Sequence, residues 1–211
     1  MYLRLCVQLS LFIGFLSVAS AGVILDQEYD AFAEGGTSGF AINPSQQVAQ
    51  SFTVGVGGTL QQVDLQVIGI APLSDLILDI FEVDAGSIGA SLGSLAVPPS
   101  TIHTSFIQAG RFASVDVSSF NIEVNPGDVL ALGLSLAPSA TSGAYAWNGF
   151  GGYAGGRTFF KDGFVTDFTA TGQDSGFRTY INTATANVVP EPSSVVIFAC
   201  GIGCLFRRRT R

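Results

Sequence analysis

The chain has 211 residues, a length that fits one domain with additional segments. It is 47% hydrophobic and only 12% charged, and this composition excludes an intrinsically disordered protein. Residues 22–189 contain four basic residues against fifteen acidic ones, a net charge of −11, although the whole chain carries only −7. Such an acidic region repels phosphate backbones, which excludes nucleic acid as a partner.

The first 21 residues have the pattern of a secretory signal peptide. Arg4 gives a positive start, Leu11–Val18 form an apolar stretch, and Ala19 and Ala21 occupy the small-residue positions of a cleavage site. We therefore expect the mature protein to begin at Gly22. The alternative is a buried core helix. All three cysteines lie outside residues 22–189, so the domain is expected to fold without disulfides.

Alternation of apolar and polar residues predicts a series of β-strands through the middle of the chain. In residues 75–83, Leu76, Leu78 and Ile80 share one face, and Ile77, Asp79 and Phe81 share the other. The predicted strands are 48–54, 59–69, 75–83, 111–124, 128–137, and short strands in AYAWNG, RTFFK and GFRTYIN.

The segment 125–128, NPGD, predicts a tight turn, because Pro126 fixes φ and Gly127 permits a reversal. No window of a dozen residues has a helical stripe. About nine strands with regular turn signals predict an all-β fold, an antiparallel two-sheet sandwich of the jelly-roll type. We place this domain at residues 22–182, followed by a polar linker at 183–189.

Catalytic motifs are sparse. The string Gly89–Gly93 fits G-x-S-x-G, but that motif requires a strand-to-helix elbow followed by an acid and a histidine. A β-turn between two strands is the preferred interpretation. His103 is the only histidine of the chain, and one histidine without a cysteine cluster does not make a usual zinc site. We expect no catalytic residues and no organic cofactor.

Carboxylates cluster near the predicted mature N-terminus. Asp26, Glu28 and Asp30 lie at every second position, and Glu34 follows. Hard cations such as Ca²⁺ favour clustered carboxylate oxygens, so the first three are candidate Ca²⁺ ligands. The alternative is a solvated acidic edge.

The segment 144–160, AYAWNGFGGYAGGRTFF, concentrates aromatic residues around glycines. Flat aromatic rings stack on sugars while amides supply hydrogen bonds, so this stretch is a candidate carbohydrate-binding site. The alternative is that Tyr145 and Trp147, two positions apart on one strand face, fill the core. The candidate ligand-binding residues are Tyr145, Trp147, Asn148 and Tyr153.

Several stretches between residues 45 and 182 resemble a β-sandwich module of bacterial exported proteins that carry varied surface anchors. They are VAQSFTVGVGGTLQQVDLQV, NPGDVLALGLSL, the glycine-rich aromatic stretch and DSGFRTYI. The resemblance implies a non-catalytic domain and supports the fold more than a function.

Residues 190–211 resemble the PEP-CTERM sorting signal, which combines a Pro-Glu-Pro triplet, an apolar segment and a basic cluster. Here these are Pro190, Glu191 and Pro192, then Val195–Phe206, then Arg207, Arg208, Arg209 and Arg211. The resemblance implies recognition by an exosortase, a membrane processing enzyme, in a Gram-negative bacterium. The apolar segment has 12 residues, about 18 Å as a helix, against a ~30 Å hydrocarbon core. We therefore expect a transient membrane tether.

These observations lead to three functional expectations. The first is an exported, non-catalytic protein of the cell surface or extracellular matrix that binds carbohydrate. The second is a structural envelope or biofilm-matrix protein without a specific ligand, whose acidity supplies solubility and cation bridging. The third is a glycoside hydrolase that uses two of the carboxylates, although no sequence motif indicates which two.

Overall fold

Residues Gly22–Thr183 form one compact unit. The structure is a computed structural model that describes residues 22–36, 38–105, 111–163 and 167–183. These residues form fifteen strands: β1 Gly22–Tyr29, β2 Ser38–Ile42, β3 Gln46–Thr53, β4 Gly58–Leu65, β5 Val67–Ala71, β6 Leu76–Asp84, β7 Ser87–Val97, β8 Ala113–Asp116, β9 Glu123–Val124, β10 Val129–Leu136, β11 Ala144–Phe150, β12 Thr158–Asp162, β13 Thr169–Ala170, β14 Asp174–Ser175 and β15 Phe177–Thr183.

The strands form three antiparallel sheets. Sheet I has the order β1-β15-β4-β8, with β9 also pairing with β4, and sheet II has the order β13-β12-β3-β10-β6-β7. In sheet III, β11 pairs with β2, β14 and β5. The described helices are short 3₁₀ turns at Pro99–Thr101 and Ser118–Phe120. Within the described ranges no helix is long and apolar enough to cross a membrane. The all-β prediction is confirmed.

Sheet II contributes one side of the hydrophobic core. Leu76, Leu78 and Ile80 of β6 are fully buried, and the four leucines of β10 at positions 130, 132, 134 and 136 are buried as well. They join one hydrophobic core with residues of sheets I and III. Across this core, the ring of Phe52 in sheet II lies 5.7 Å from the ring of Phe177 in sheet I. The structure is therefore a β-sandwich.

The NPGD turn forms as predicted. The amide of Asp128 donates to the carbonyl of Asn125 at 3.1 Å, and Gly127 has a φ of 95°, a left-handed conformation that favours glycine. The Asp128 carboxylate closes the turn by accepting the amide of Asn125 at 2.8 Å. This turn fixes where β10 begins.

The prediction of one strand over residues 111–124 was wrong. The chain leaves the strand after Asp116, whose carboxylate accepts the amide of Ser118 at 2.9 Å, and turns through the 3₁₀ segment. Asn121 then takes a left-handed conformation before β9. The expected number of strands was also too low. The predictions missed β1, β2 and the eleven-residue β7, whose surface is largely exposed and rich in glycine and serine.

Sheets I and III meet where β11 enters beside the β4–β15 pair. At this point the amide of Gln66 donates to the carbonyl of Gly176, the amide of Asn148 to the carbonyl of Gln66, and the amide of Gly176 to the carbonyl of Asn148. A Cβ atom at Gly176 would collide with the side chain of Gln66, so the close approach requires glycine. The junction sets the position of β11 and its aromatic residues.

Candidate functional site

The aromatic residues of β11 lie in the core. Tyr145 and Trp147 are fully buried, the Tyr145 hydroxyl donates to the Ser74 carbonyl at 2.6 Å, and the Trp147 indole donates to the Gly176 carbonyl at 2.8 Å. Because β11 has partner strands on both sides and its odd-numbered residues face the core, these rings cannot reach a sugar. The core-packing alternative describes them, and the prediction of a binding platform that includes them is corrected.

Asn148 and Tyr153 also have structural roles. Asn148 is buried at the junction of sheets I and III. The Tyr153 hydroxyl donates to Gln27 Oε1 at 2.6 Å, and its ring packs edge-on against Phe177. Burial, with a contribution from the nearby carboxylates Asp26 and Asp174, raises the pKa of Tyr153 to about 12. Tyr153 is therefore a neutral hydrogen-bond donor over the whole physiological pH range.

The three candidate Ca²⁺ ligands have separate structural partners. Asp26 Oδ1 accepts the amides of Gly55 and Val56 at 2.9 and 2.8 Å, and the Glu28 carboxylate forms an ion pair of 2.6 Å with Arg178. The carboxylate of Asp30 accepts Ala33 N at 2.9 Å and Gln66 Nε2 at 2.7 Å.

These partners come from different elements, and they hold the three carboxylates apart. In the described part of the chain, no three histidine, cysteine or acidic side chains converge as a metal site. The predicted ligand set of Asp26, Glu28 and Asp30 is therefore not assembled. Asp26 Oδ2 is buried and has no hydrogen-bond partner among the described residues.

The G-x-S-x-G string lies inside β7, and the turn that precedes it is Ala85–Gly86. The expected turn at the string was wrong, and a nucleophile elbow is absent because Gly89–Gly93 is extended. Ser91 is exposed and lies 3.4 Å from Asp79 Oδ1. His103 is half-buried at an isolated bridge to Ile68.

Sequence reasoning missed a buried polar network between sheets II and III. Gln50 of β3 is fully buried, and its side chain accepts hydrogen bonds from the Thr158 hydroxyl and, at 2.7 Å, from the Ser175 amide. Its amide group donates to Asp174 Oδ1 at 3.1 Å, and Asp174 Oδ2 accepts the Tyr153 amide at 2.8 Å. Buried polar groups that are satisfied in this way fix the positions of strands. The network is structural.

A cleft of about 540 Å³ opens beside the β6–β7 hairpin, between the end of β6, the start of β10 and residues 120–124. We name it the acidic cleft. Five of its apolar lining residues, which we call its floor, are Ile122, Val124 and Leu130, which are almost fully buried, and Leu92 and Phe120, which are half-buried. The charged side chains that line it are Glu82, Asp84, Glu123 and Asp128.

A smaller groove of about 350 Å³ adjoins the acidic cleft and shares Val83 and Val129 with it. Residues 154–157 form one wall, and Arg157 is the charged residue among the described residues that line it. The two depressions therefore have opposite charge. No sequence motif marks either one, because their residues come from distant parts of the chain.

Comparison with known proteins adds little. No protein-family model matches the chain, and no curated protein matches it. Among solved structures, it is similar to the subviral particle of VP2 from infectious bursal disease virus, with 12% identity, 78% of this chain and 39% of that chain covered, and a TM-score of 0.20. A similarity at that score carries no argument about this protein.

The remaining predicted residues lie outside the described ranges. They are the cleavage positions Ala19 and Ala21 and the sorting residues Pro190, Glu191, Pro192, Arg207, Arg208 and Arg209.

Proposed function

We propose that this chain is an exported, non-catalytic protein of the cell surface or extracellular matrix of a Gram-negative bacterium, delivered by an exosortase-type sorting system. The signal peptide is removed after Ala21, and the segment from Pro190 tethers the protein to the inner membrane until it is processed. The observation that carries the proposal is that two segments resembling export signals flank one acidic β-sandwich domain.

The domain is a jelly-roll in this proposal. Support comes from the path of the chain, which repeatedly passes from one sheet to another. β3 of sheet II is followed by β4 of sheet I, and β9 of sheet I is followed by β10 of sheet II. Connections of this kind are typical of double-sheet jelly-rolls.

The sorting proposal is tested by intact-mass measurement of the protein from the envelope and from the medium of an exosortase-containing bacterium. We expect a mature chain that begins at Gly22 and lacks the tail beyond the triplet. Replacing Pro190 and Pro192 with alanine is expected to retain the tail, whereas the control Pro138→Ala, at an exposed turn of the domain, is expected not to. An unprocessed full-length chain in the cytoplasm would refute the proposal.

Carbohydrate binding is a second candidate function, now at a different site. Phe32 and Phe150 are exposed by 43 and 41%, and the Phe150 ring packs beside Gly35 at the end of the turn that contains Phe32. Exposed aromatic rings of this kind stack on sugars. If they bind polysaccharide, alanine at either position lowers retention in polysaccharide-containing native gels, while the control Leu73→Ala, which removes another exposed apolar side chain, does not.

Two alternatives remain, a structural matrix protein and a glycoside hydrolase, and the purified protein and a gene deletion distinguish them. Unchanged retention by every polysaccharide favours a purely structural matrix protein, and deletion of the gene then alters the matrix or cell aggregation. Release of reducing ends by the purified protein, lost in Glu82→Gln, would establish a glycoside hydrolase that uses carboxylates of the acidic cleft.

A further inference from the structure

We propose that the acidic cleft binds an extended peptide segment of a partner protein in which basic side chains alternate with apolar ones. This inference goes beyond the proposed function and does not depend on export or sorting. It rests on three features of the cleft: its charge, its apolar floor and the arrangement of its carboxylates.

The charge of the cleft is uncompensated. Four carboxylates and no basic side chain are found among its described lining residues. Glu82 and Asp84 have no hydrogen-bond or ion-pair partner in the described ranges, and each is exposed. Glu123 accepts one hydrogen bond, from the Thr59 hydroxyl at 2.8 Å, and Asp128 accepts the one from Asn125. The carboxylates of Glu82 and Asp84 are therefore free to meet cations, and those of Glu123 and Asp128 each keep one oxygen without a hydrogen-bond partner among the described residues.

The floor of the cleft is preformed. The Phe120 ring packs against β7 at Gly93, where a Cβ atom would come within 2.5 Å of it. Leu130 and Val124 continue the floor and belong to the main core, so they hold their positions without a ligand. A preformed apolar floor favours a ligand with apolar side chains, because little ordering is needed on binding.

The arrangement of the carboxylates is the third feature. In the described residues no three of them converge on one point, an arrangement that favours several separate cationic groups over one metal ion. The floor is mainly aliphatic, with Phe120 as its one described aromatic ring, whereas sugar sites are built around flat aromatic surfaces. The volume of about 540 Å³ is in the range of sites that take a few side chains. Charge complementarity then selects a basic, apolar peptide.

The experiment measures binding of the full-length protein to a fluorescent synthetic hexapeptide of alternating leucine and lysine by anisotropy at low ionic strength. The double variant Glu82→Gln/Asp84→Asn is expected to weaken binding about tenfold. A matched double variant, Glu34→Gln/Asp75→Asn, removes the same charge from exposed positions outside the cleft lining and is expected to change binding less than twofold.

A hexapeptide of alternating serine and lysine tests the floor, and its binding is expected to be at least about tenfold weaker than that of the leucine peptide. Emission of the buried Trp147 reports whether each variant is folded. If a double variant does not fold, the single variants Glu82→Gln and Asp84→Asn are measured, and each is expected to weaken binding.

Three results would overturn the inference. Equal losses in the two double variants would show attraction to the overall negative charge only. Equal binding of the leucine and serine peptides would show that the apolar floor does not contribute to affinity. Binding of a chitosan oligomer, with no binding of either peptide, would assign the cleft to an amino-polysaccharide.

Discussion

Replacing Gln50 with leucine breaks the polar network between sheets II and III at its centre. The leucine fills a similar volume but removes the acceptor of the Thr158 hydroxyl and a donor to the Asp174 carboxylate. The amide of Ser175 keeps Thr158 Oγ1 as an acceptor at 3.0 Å, and the Thr158 hydroxyl keeps Ser175 Oγ at 3.2 Å, so the group that loses its partner is the buried carboxylate oxygen Asp174 Oδ1. An unsatisfied buried group costs about 1–3 kcal/mol and a charged one more, so we expect a loss of about 3 kcal/mol in the free energy of unfolding.

The assay is urea unfolding followed by the fluorescence of Trp147, the single tryptophan, which is fully buried. The control is Gln47→Leu, an exposed position on the same strand, for which we expect a change within about 0.5 kcal/mol. A loss below about 1 kcal/mol for Gln50→Leu, with an unchanged denaturant slope, would refute the view that the network holds the two sheets in register.

Three further outcomes follow from single contacts. Gly93→Ala is expected to cost about 1–3 kcal/mol of unfolding free energy in urea, because its Cβ meets Phe120, whereas Gly152→Ala has open space and serves as control. The pKa of Tyr153 is about 12 in the fold and about 10 in an unfolded chain, so stability present below pH 10 is lost as the pH rises to 12. Tyr153→Phe therefore flattens this part of the urea-measured pH profile, and an unchanged profile would contradict the assignment. Glu28→Gln removes a partly exposed ion pair, so its midpoint shift should correspond to less than about 1 kcal/mol.

Local alternation placed the right residues together on β6. Leu76, Leu78 and Ile80, which share one face of that strand, are all fully buried, since successive side chains of a strand point to opposite sides. In β10 the neighbours Ala131 and Leu132 are both fully buried, so alternation alone does not separate the two faces of that strand. The turn at residues 125–128 was equally clear, because proline and glycine restrict the backbone directly. β7 was not predicted, because an exposed strand rich in glycine and serine has no apolar alternation to detect.

The candidate site was harder to predict from sequence. The aromatic residues at 145 and 147 were correctly placed on one face of a strand, but the sequence left open whether that face pointed to solvent or to the core. The packing of that face against the hydrophobic core decided it. The candidate Ca²⁺ ligands failed for a related reason, since a strand carries its carboxylates to different neighbours and does not gather them.

The sequence by itself determined that this is an acidic β-protein, which residues share one face of a strand such as β6, and where the turn at Pro126 lies, because these follow from charge and from local backbone geometry. Only the tertiary structure decided that Gln50 meets Asp174, 124 positions away, and that Glu82 and Glu123 line one cleft. Strand pairing brings such distant segments together. The short-range alternation of residues does not specify which strands pair.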